Sequence, residues 1–241
     1  MNHVASAPEG MIPASIVEIR QETPRIKSLL LEVGEGFHYR PGQWIDLVDR
    51  VDDEWAVGGY SLVSTPSMGG RIQLAIKAAD HHAVTLHLHE TARVGDTVYV
   101  SPAGQGSFFF EAHMAQKVVL LGAGIGVTPL IGILRSIYQD MPQVQTTLVY
   151  SVTESSEILF RDEIERMGLA PHIRCVITVT RDAEDWRGHT GRISHDLLES
   201  MNLPKEALYY YCGSRDFIED MTELLAHMGI ERDRLVYEKW W

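Results

Sequence analysis

The glycine-rich segment VVLLGAGIGVTP, residues 118–129, has the composition of a loop that holds a phosphate group. The residues that would surround the phosphate are Gly122, Gly124, Ile125, Gly126, Thr128 and Pro129. Glycine lets the backbone approach an anion closely, and the first N–H groups of a helix attract negative charge. Val127 stands where the third glycine of a G-x-G-x-x-G dinucleotide motif would fall, so the spacing alone does not assign the ligand. Close packing of a strand against a helix is the alternative use of these glycines.

The start of the helix that follows this loop has signals of its own. Thr128 can cap a helix through its hydroxyl, and Pro129 suits the first helical position, where no N–H group is needed. We therefore expect unbonded N–H groups and the helix dipole to face whatever lies over Gly124 and Gly126. Pyrophosphate is the ligand that this arrangement suits.

The cysteines and histidines do not have the spacing of a metal site. The sequence has two cysteines, Cys175 and Cys212, whereas a Cys₄ zinc site or the usual iron–sulfur cluster needs four thiolates. Four histidines lie within HHAVTLHLHE, residues 81–90, but His82 and His89 are about two helical turns apart. We expect these histidines to form a polar helix face, and we expect no metal site.

The elements that must position these residues differ between the two parts of the chain. Up to about residue 110, six β-rich segments alternate with turns, and the helix-like segment HAVTLHLHETA separates the fifth from the sixth. This pattern predicts an antiparallel barrel or sandwich. From residue 116 on, short apolar strands alternate with helical segments, which predicts a parallel sheet covered on both faces. We place the boundary within residues 111–117, with domains at 1–113 and 114–241.

The bulk composition limits the partners and the location. The formal charge of −12 at pH 7 argues against nucleic acid or an anionic membrane surface as the main partner, because both would repel the chain. The first residues have no apolar run of signal-peptide length, and no window reaches the roughly 18 apolar residues of a membrane span. Two distant cysteines give no disulfide framework. We therefore expect a cytoplasmic protein without a membrane span, and the sequence leaves its oligomeric state open.

Five further segments, in this order, resemble motifs of the ferredoxin–NADP⁺ reductase superfamily, and the resemblance covers nearly the whole chain. They are RPGQWIDL (40–47), GGYSLVSTP (58–66), VGDTVYVSPAGQGSF (94–108), YYYCGSRDFIEDM (209–221) and the tail YEKWW (237–241). The resemblance implies an antiparallel Greek-key barrel that binds a flavin, followed by a parallel-sheet domain that binds a nicotinamide nucleotide. It also implies hydride transfer between nicotinamide and flavin, with FAD as the cofactor and NAD(P)H as the substrate.

The resemblance further implies site residues from both halves. Tyr60 would pack on the flavin, Ser61 would hydrogen-bond near its reacting nitrogen, and Cys212 would lie beside the nicotinamide. The implied catalytic residues are Ser61, Cys212 and Glu238. The implied cofactor-binding residues are Gly58, Gly59, Tyr60, Ser61, Ile76, Lys77, Thr85, Gly122, Gly124, Ile125, Gly126, Thr128, Pro129, Arg181, Gly213, Ser214, Trp240 and Trp241. The two tail tryptophans would cover the flavin.

Two positions depart from the family's pattern. Gly58 stands where the family has an arginine that neutralises the FAD pyrophosphate, and His82 stands where the family has a glycine. FMN, or a flavin bound loosely as a substrate, is therefore an alternative to tightly bound FAD. A flavin-less nucleotide-binding or regulatory module and an electron-transfer subunit of a larger complex are the alternative functions.

The sequence leaves the coenzyme and the electron acceptor open. Arg181 would suit the 2′-phosphate of NADPH, because a guanidinium binds phosphate with two parallel hydrogen bonds, whereas Glu154 would prefer the ribose diol of NADH. The acceptor is expected to be a separate molecule, since two cysteines cannot hold a four-thiolate cluster. A ferredoxin, a flavodoxin, an oxygenase component or free flavin would each fit.

Overall fold

Two six-stranded sheets, one antiparallel and one parallel, organise the protein. The computed structural model describes residues 7–52, 54–79, 81–181 and 186–239. The first part of the chain forms the antiparallel sheet and the second part forms the parallel one, as the change of sequence pattern predicts.

The antiparallel sheet contains the six predicted strands in the order β4-β3-β6-β1-β2-β5. They are β1 Ile12–Thr23, β2 Ile26–Glu32, β3 Trp44–Val51, β4 Glu54–Ser61, β5 Arg71–Lys77 and β6 Thr97–Val100. A bridge between Leu62 and Leu74 brings the end of β4 to β5 and closes the sheet into a barrel. Because β6 pairs with both β1 and β3, the strand order is that of a Greek key. The predicted helix between the fifth and sixth strands is confirmed as α1, Ala83–Glu90.

Alternating side chains and one special turn explain the barrel locally. The inward-facing residues of β2 and β3 include Leu29, Leu31, Ile45 and Leu47, which have no exposed surface. The turn before β3 contains Gly42, whose φ of 101° lies in the left-handed region that favours glycine. A β-carbon at this position would also lie 2.8 Å from the carbonyl oxygen of Phe108. Glycine at position 42 is therefore needed both for the turn and for the close approach of the chain.

The parallel sheet has the strand order β10-β9-β8-β7-β11-β12. Its strands are β7 Lys117–Ala123, β8 Gln145–Val152, β9 Ile173–Val179, β10 His189–Thr190, β11 Leu208–Cys212 and β12 Leu235–Tyr237. Its helices are α2 Thr128–Asp140, α3 Arg161–Met167, α4 His195–Ser200 and α5 Arg215–His227. The helices α2 and α3 pack in one apolar cluster, and α4 and α5 pack in another. Successive residues of β7 belong to the two clusters in turn, so both faces of the sheet are covered, as predicted.

Two local predictions in this half are wrong in detail. The segment SEILFRDEIERMG, predicted as one helix, contains a 3₁₀ turn at Ser155–Glu157 and the helix α3 only from Arg161. Phe160 lies between them with a φ of 53°, a left-handed conformation that interrupts right-handed helical hydrogen bonding. The two-residue strand β10 is absent from the prediction. The predicted cap at Gly229 is confirmed, since this glycine follows α5 with a φ of 78°.

The two halves share an apolar core, which holds them in one orientation. A single cluster joins Phe108 and Phe110, which precede the parallel sheet, to Leu130 and Ile133 of α2. The hydroxyl of Tyr210 on β11 donates a 2.7 Å hydrogen bond to the carbonyl of Phe109. The predicted domain limit between residues 113 and 114 lies between the two sheets. It stays a prediction, because the shared apolar core contains residues from both sides of this limit.

Candidate functional site

A cleft of about 690 Å³ lies between the barrel and the parallel sheet. Its predicted lining residues from the barrel are Gly59, Tyr60, Ser61, Ile76 and Lys77. Its predicted lining residues from the second half are Gly124, Ile125, Gly126, Thr128, Cys212, Gly213 and Ser214. The cleft thus brings together residues from four separate sequence segments. It also lies where the strand order reverses between β7 and β11, the usual position of a ligand in an open parallel sheet.

On the barrel wall, Tyr60 and Thr85 connect β4 to the start of α1. Their hydroxyls share a 2.8 Å hydrogen bond, and the Thr85 hydroxyl lies 3.2 Å from Nδ1 of His82. Burial raises the pKa of Tyr60, which keeps this hydroxyl protonated and able to donate. Thr85 is buried behind Tyr60 and does not line the cleft itself. The expected contact of Thr85 with a phosphate therefore stays a prediction.

Gly58 is buried beneath two rings of the same wall. A β-carbon at position 58 would lie 2.6 Å from the Tyr60 hydroxyl oxygen and 2.9 Å from Cε1 of His82. Atoms do not approach this closely, so no larger side chain fits while these rings keep their positions. Gly58 and His82, which both depart from the family's pattern, are therefore neighbours in space. The imidazole of His82 fills space that a side chain at position 58 would need.

Ser61 and Lys77 end the two barrel strands that border the cleft. Ser61 is buried at the last position of β4, opposite Trp44 in the register of β3 and β4. The Lys77 ammonium forms a 3.3 Å ion pair with Glu157, which lies in the turn after β8. Both partners are largely buried, so this pair links the barrel to the second half at the edge of the cleft.

The glycines of the loop after β7 have different uses. A β-carbon at Gly126 would lie 2.5 Å from the carbonyl oxygen of Cys212, and one at Gly122 would lie 3.1 Å from the side chain of Leu130. These two glycines therefore allow close packing. Gly124 has a φ of 53° and faces open space, since a β-carbon there would meet nothing within 4 Å. Close packing thus accounts for Gly122 and Gly126, whereas Gly124 faces open space and its contact with a phosphate stays a prediction.

The start of α2 corrects the predicted cap. The helix begins at Thr128, which is preceded by a 3₁₀ turn at Gly124–Val127, and its cap residue Val127 makes no side-chain hydrogen bond. The Thr128 hydroxyl instead donates a 2.9 Å bond to the carbonyl of Ile125. Pro129 is therefore the second helical residue and not the first. The extra turn of 3₁₀ helix moves the cap, because Thr128 already has helical backbone angles.

Cys212, Gly213 and Ser214 connect β11 to α5. Cys212 is buried at the end of the strand, and its backbone pairs in register with Gly122. Ser214 caps α5, since its hydroxyl accepts a 3.3 Å bond from the N–H of Phe217. A β-carbon at Gly213 would lie 2.5 Å from the Phe217 ring, so this glycine is required by packing.

A second cavity of about 340 Å³ continues from the cleft along the second half. The two share Ala123, Gly124 and Ser214, so they form one elongated channel. The second cavity contains the predicted Arg181 and also Arg192, which the sequence analysis missed. Two acidic residues of α5, Asp216 and Asp220, line it as well.

The predicted tail residues are placed only in part. Glu238 accepts a 3.2 Å hydrogen bond from Nε1 of Trp44, and burial raises the pKa of its carboxyl while this bond lowers it. Glu238 lies beside the barrel and does not line the cleft. Trp240 and Trp241 lie outside the described residues. The catalytic role of Glu238 and the covering role of the tryptophans stay predictions.

The histidines of the segment around α1, which the sequence predicts to form a polar helix face, make polar contacts with the barrel strands. His89 is hydrogen-bonded to the carbonyl of Ile76 at 2.9 Å, and His87 lies 3.3 Å from the carboxylate of Asp49. His82 caps the helix and lines the cleft. The sequence signal for His82 was its replacement of the family's glycine, whereas no sequence signal pointed to Arg192. In the described part of the chain, no group of three or more His, Cys, Asp or Glu side chains is arranged to hold a metal ion.

The barrel and the parallel sheet contribute opposite walls of one cleft, and each of these halves matches a family of oxidoreductase domains. Residues 14–110 match the family described as oxidoreductase FAD-binding domain, and residues 120–223 match the oxidoreductase NAD-binding domain. The chain belongs to the family of oxidoreductases that have these FAD-binding and NAD-binding domains, and its fold is that of the ferredoxin–NADP⁺ reductases. No helix of the described residues is long and apolar enough to cross a membrane.

Three similar proteins illustrate the range of this family. The chain is 31% identical to oxidoreductase NAD-binding domain-containing protein 1 of Danio rerio, over 96% of this chain and 92% of the relative. It is 27% identical to the glycine betaine monooxygenase reductase subunit of Chromohalobacter salexigens, over 89% of this chain and 60% of that protein. A ferredoxin–NADP⁺ reductase of Neisseria gonorrhoeae, solved with FAD and NADP, superposes with a TM-score of 0.82 at 20% identity, covering 97% of this chain and 100% of that one.

Proposed function

We propose that this protein transfers a hydride from a nicotinamide nucleotide on the second half to FAD on the barrel wall. The electrons then pass to a separate acceptor. The observation that carries this proposal is the convergence of Ser61 and Cys212, from opposite halves, on one cleft. A cleft of about 690 Å³ is within the range of roughly 300–1,000 Å³ that is usual for small-molecule sites.

The residues present fit the two nucleotides. The open space over Gly124 lies where the cleft joins the second cavity, so a dinucleotide can lie along both with its pyrophosphate beside this glycine. On the barrel wall, Gly59 leaves the surface of β4 free of a side chain, and Tyr60 and Ser61 supply an aromatic ring and a hydroxyl. This is the combination of flat apolar surface and few polar groups that a ring cofactor needs.

The flavin and the nicotinamide supply the hydride chemistry when bound, and the protein supplies position and exclusion of water. Ser61 would donate a hydrogen bond to the flavin ring, and the buried Cys212 would contact the nicotinamide from the opposite wall. The core shared by the two halves holds these walls at a fixed separation. Such positioning is effective because it removes the entropic cost of bringing two reactants together.

We further propose NADPH as the preferred nucleotide. Arg181 and Arg192 reach the second cavity from two different loops, and two guanidinium groups suit a 2′-phosphate. Asp216 and Asp220 line the same cavity and would repel a phosphate placed against α5. We therefore place the 2′-phosphate on the side of the two arginines.

The acceptor is proposed to be another molecule. The sequence contains two cysteines, which cannot supply the four thiolates of the usual iron–sulfur cluster. One relative is named as the reductase subunit of a monooxygenase, and its partner is therefore an oxygenase component. An oxygenase component, a ferredoxin, a flavodoxin or free flavin are the acceptors to compare.

The competing function is a nucleotide-binding module without flavin, and it is favoured by the two rings that cover Gly58. One experiment separates the two. The purified protein is incubated with excess FAD and then freed of unbound flavin. Its absorbance in the visible range shows whether flavin is retained. We expect retained flavin that is bleached by NADPH without oxygen. A protein that binds NADPH but takes up no flavin at saturating FAD would establish the module instead.

A further inference from the structure

We propose that His82 binds a phosphate of the flavin through its Nε2–H group, taking over the contact that a side chain at position 58 would make. This inference rests on the assignment of the barrel wall to FAD. It concerns a residue that the family's pattern does not contain, since a glycine is usual at this position.

The first observation is that His82 and a side chain at position 58 exclude one another. The ideal β-carbon of residue 58 falls 2.9 Å from Cε1 of the imidazole and 2.8 Å from a ring carbon of Tyr60. The imidazole therefore occupies the space in which an arginine at position 58 would begin. The arginine that is missing at position 58 and the imidazole that is present at position 82 are both hydrogen-bond donors. They would occupy the same place, although the residues are 24 positions apart in sequence.

The second observation fixes the tautomer of the imidazole. The Thr85 N–H donates to Nδ1 of His82, and the Thr85 hydroxyl lies 3.2 Å from the same nitrogen. Because Nδ1 accepts, the neutral ring carries its proton on Nε2. In the described part of the chain, the hydrogen bonds of this ring both go to Nδ1, which leaves the Nε2–H group available for a ligand.

The third observation is the position of the ring at the cleft. His82 lines the same cleft as Tyr60 and Lys77, and it is exposed there. Lys77 is a cationic group of the same wall, and its ammonium pairs with Glu157 at 3.3 Å. The Thr85 N–H, which could otherwise bind an anion at the start of α1, is already satisfied by His82 itself. The exposed imidazole of His82 therefore offers its Nε2–H group as a donor to a phosphate at this end of the cleft.

The test uses His82→Asn, which keeps the cap and withdraws the donor from the position of Nε2, because the asparagine amide is shorter than the imidazole. An asparagine side-chain oxygen can accept from the Thr85 N–H as Nδ1 does, and asparagine is among the best capping residues. We expect FAD to bind about 10- to 100-fold more weakly, the range for loss of one hydrogen bond to a charged group. We expect riboflavin, which has no phosphate, to bind with unchanged affinity. Both affinities are measured by quenching of flavin fluorescence with the full-length protein.

The control is His81→Asn, at the neighbouring exposed position outside the cleft, for which both affinities should equal the wild-type values. A thermal melt of each variant shows whether α1 remains folded. Unchanged or tighter FAD binding by a folded His82→Asn variant would overturn the proposal, because the imidazole would then be neutral or an obstacle. Equal weakening of FAD and riboflavin would overturn it as well, since the effect would not concern phosphate. A wild-type protein that binds neither flavin would refute the proposed function itself.

Discussion

Gly126 lies so close to Cys212 that a β-carbon at position 126 would be 2.5 Å from the Cys212 carbonyl oxygen. This contact joins the glycine-rich loop after β7 to the end of β11, the two segments that form the second wall of the cleft. It explains why the loop has its third glycine one position earlier than the common dinucleotide motif. The position of this glycine is therefore explained by its contact with the neighbouring strand β11.

Gly126→Ala is expected to lower the free energy of unfolding by about 1–3 kcal/mol, the usual cost of forcing extra atoms into a packed site. It should also weaken NADPH binding, because the loop must move away from β11. Urea denaturation and a fluorescence titration with NADPH measure the two effects. The control is Gly36→Ala, where a β-carbon meets nothing within 4 Å and no left-handed φ is required. If both variants have the same free energy of unfolding, the close approach of residue 126 to the Cys212 carbonyl does not affect stability.

Cys212→Ala is expected to slow flavin reduction by about tenfold while NADPH affinity stays nearly unchanged, because we propose that the thiol contacts the nicotinamide ring and not the phosphates. Stopped-flow absorbance at saturating NADPH measures the rate. Cys175→Ala is the matched control, since this thiol lies on β9 and away from the cleft. Burial raises the pKa of Cys175 to about 12, so it stays a neutral thiol. Equal rates for the two variants would remove Cys212 from the site.

Arg181→Ala and Arg192→Ala are each expected to raise the KM for NADPH by about tenfold or more, the effect of losing a charge-assisted hydrogen bond. The KM for NADH should change little, because NADH lacks the 2′-phosphate. Steady-state kinetics with both nucleotides decide the matter, with Arg174→Ala as a control on the outer part of β9. A parallel loss for NADH and NADPH would show that the arginines contact a shared part of the nucleotide.

Arg135→Met is expected to cost about 3–5 kcal/mol of stability, because it leaves the Glu163 carboxylate without its partner. The Arg135 guanidinium binds both oxygens of Glu163 at 2.8 and 2.7 Å and also donates to the Val63 carbonyl on the barrel. Arg161→Met is the matched control, since its pair with Glu165 is exposed and worth about 0.3–0.5 kcal/mol. Urea unfolding compares them. If both variants lose a similar free energy of unfolding, the Arg135–Glu163 pair contributes no more to stability than the exposed Arg161–Glu165 pair does.

Glu238→Gln is expected to make the protein more stable than the wild type near pH 7, with the difference vanishing at acid pH. Burial raises the pKa of Glu238 in the folded state, so the folded protein holds the proton more tightly than the unfolded chain does. Stability is therefore lost as the pH rises from the ordinary carboxyl pKa through the raised one, when this carboxyl ionises. Glutamine stays neutral and still accepts from Trp44. Melting temperatures of both proteins from pH 4 to pH 7 check the sign, and a constant difference would contradict it.

The local elements of this protein could be predicted from its amino-acid sequence. The six strands, the helix α1 and the strand–helix alternation from β7 onward follow from side-chain periodicity and turn residues, which act over a few positions. The motifs around Tyr60, Gly124 and Cys212 identified the family and most residues of the cleft for the same reason. Where local conformation broke the pattern, as at Phe160 and at the cap of α2, the prediction was wrong.

Contacts between residues that are distant in sequence became visible only in the folded protein. The pairing of His82 with Gly58, the contact of Gly126 with Cys212 and the entry of Arg192 into the second cavity depend on strand register and on how two sheets pack. Such contacts join positions that are far apart along the chain, and no local period encodes them, because register and packing are set by the whole core. The sequence therefore gives the chemical groups of the cleft, and packing decides which of them face the same ligand.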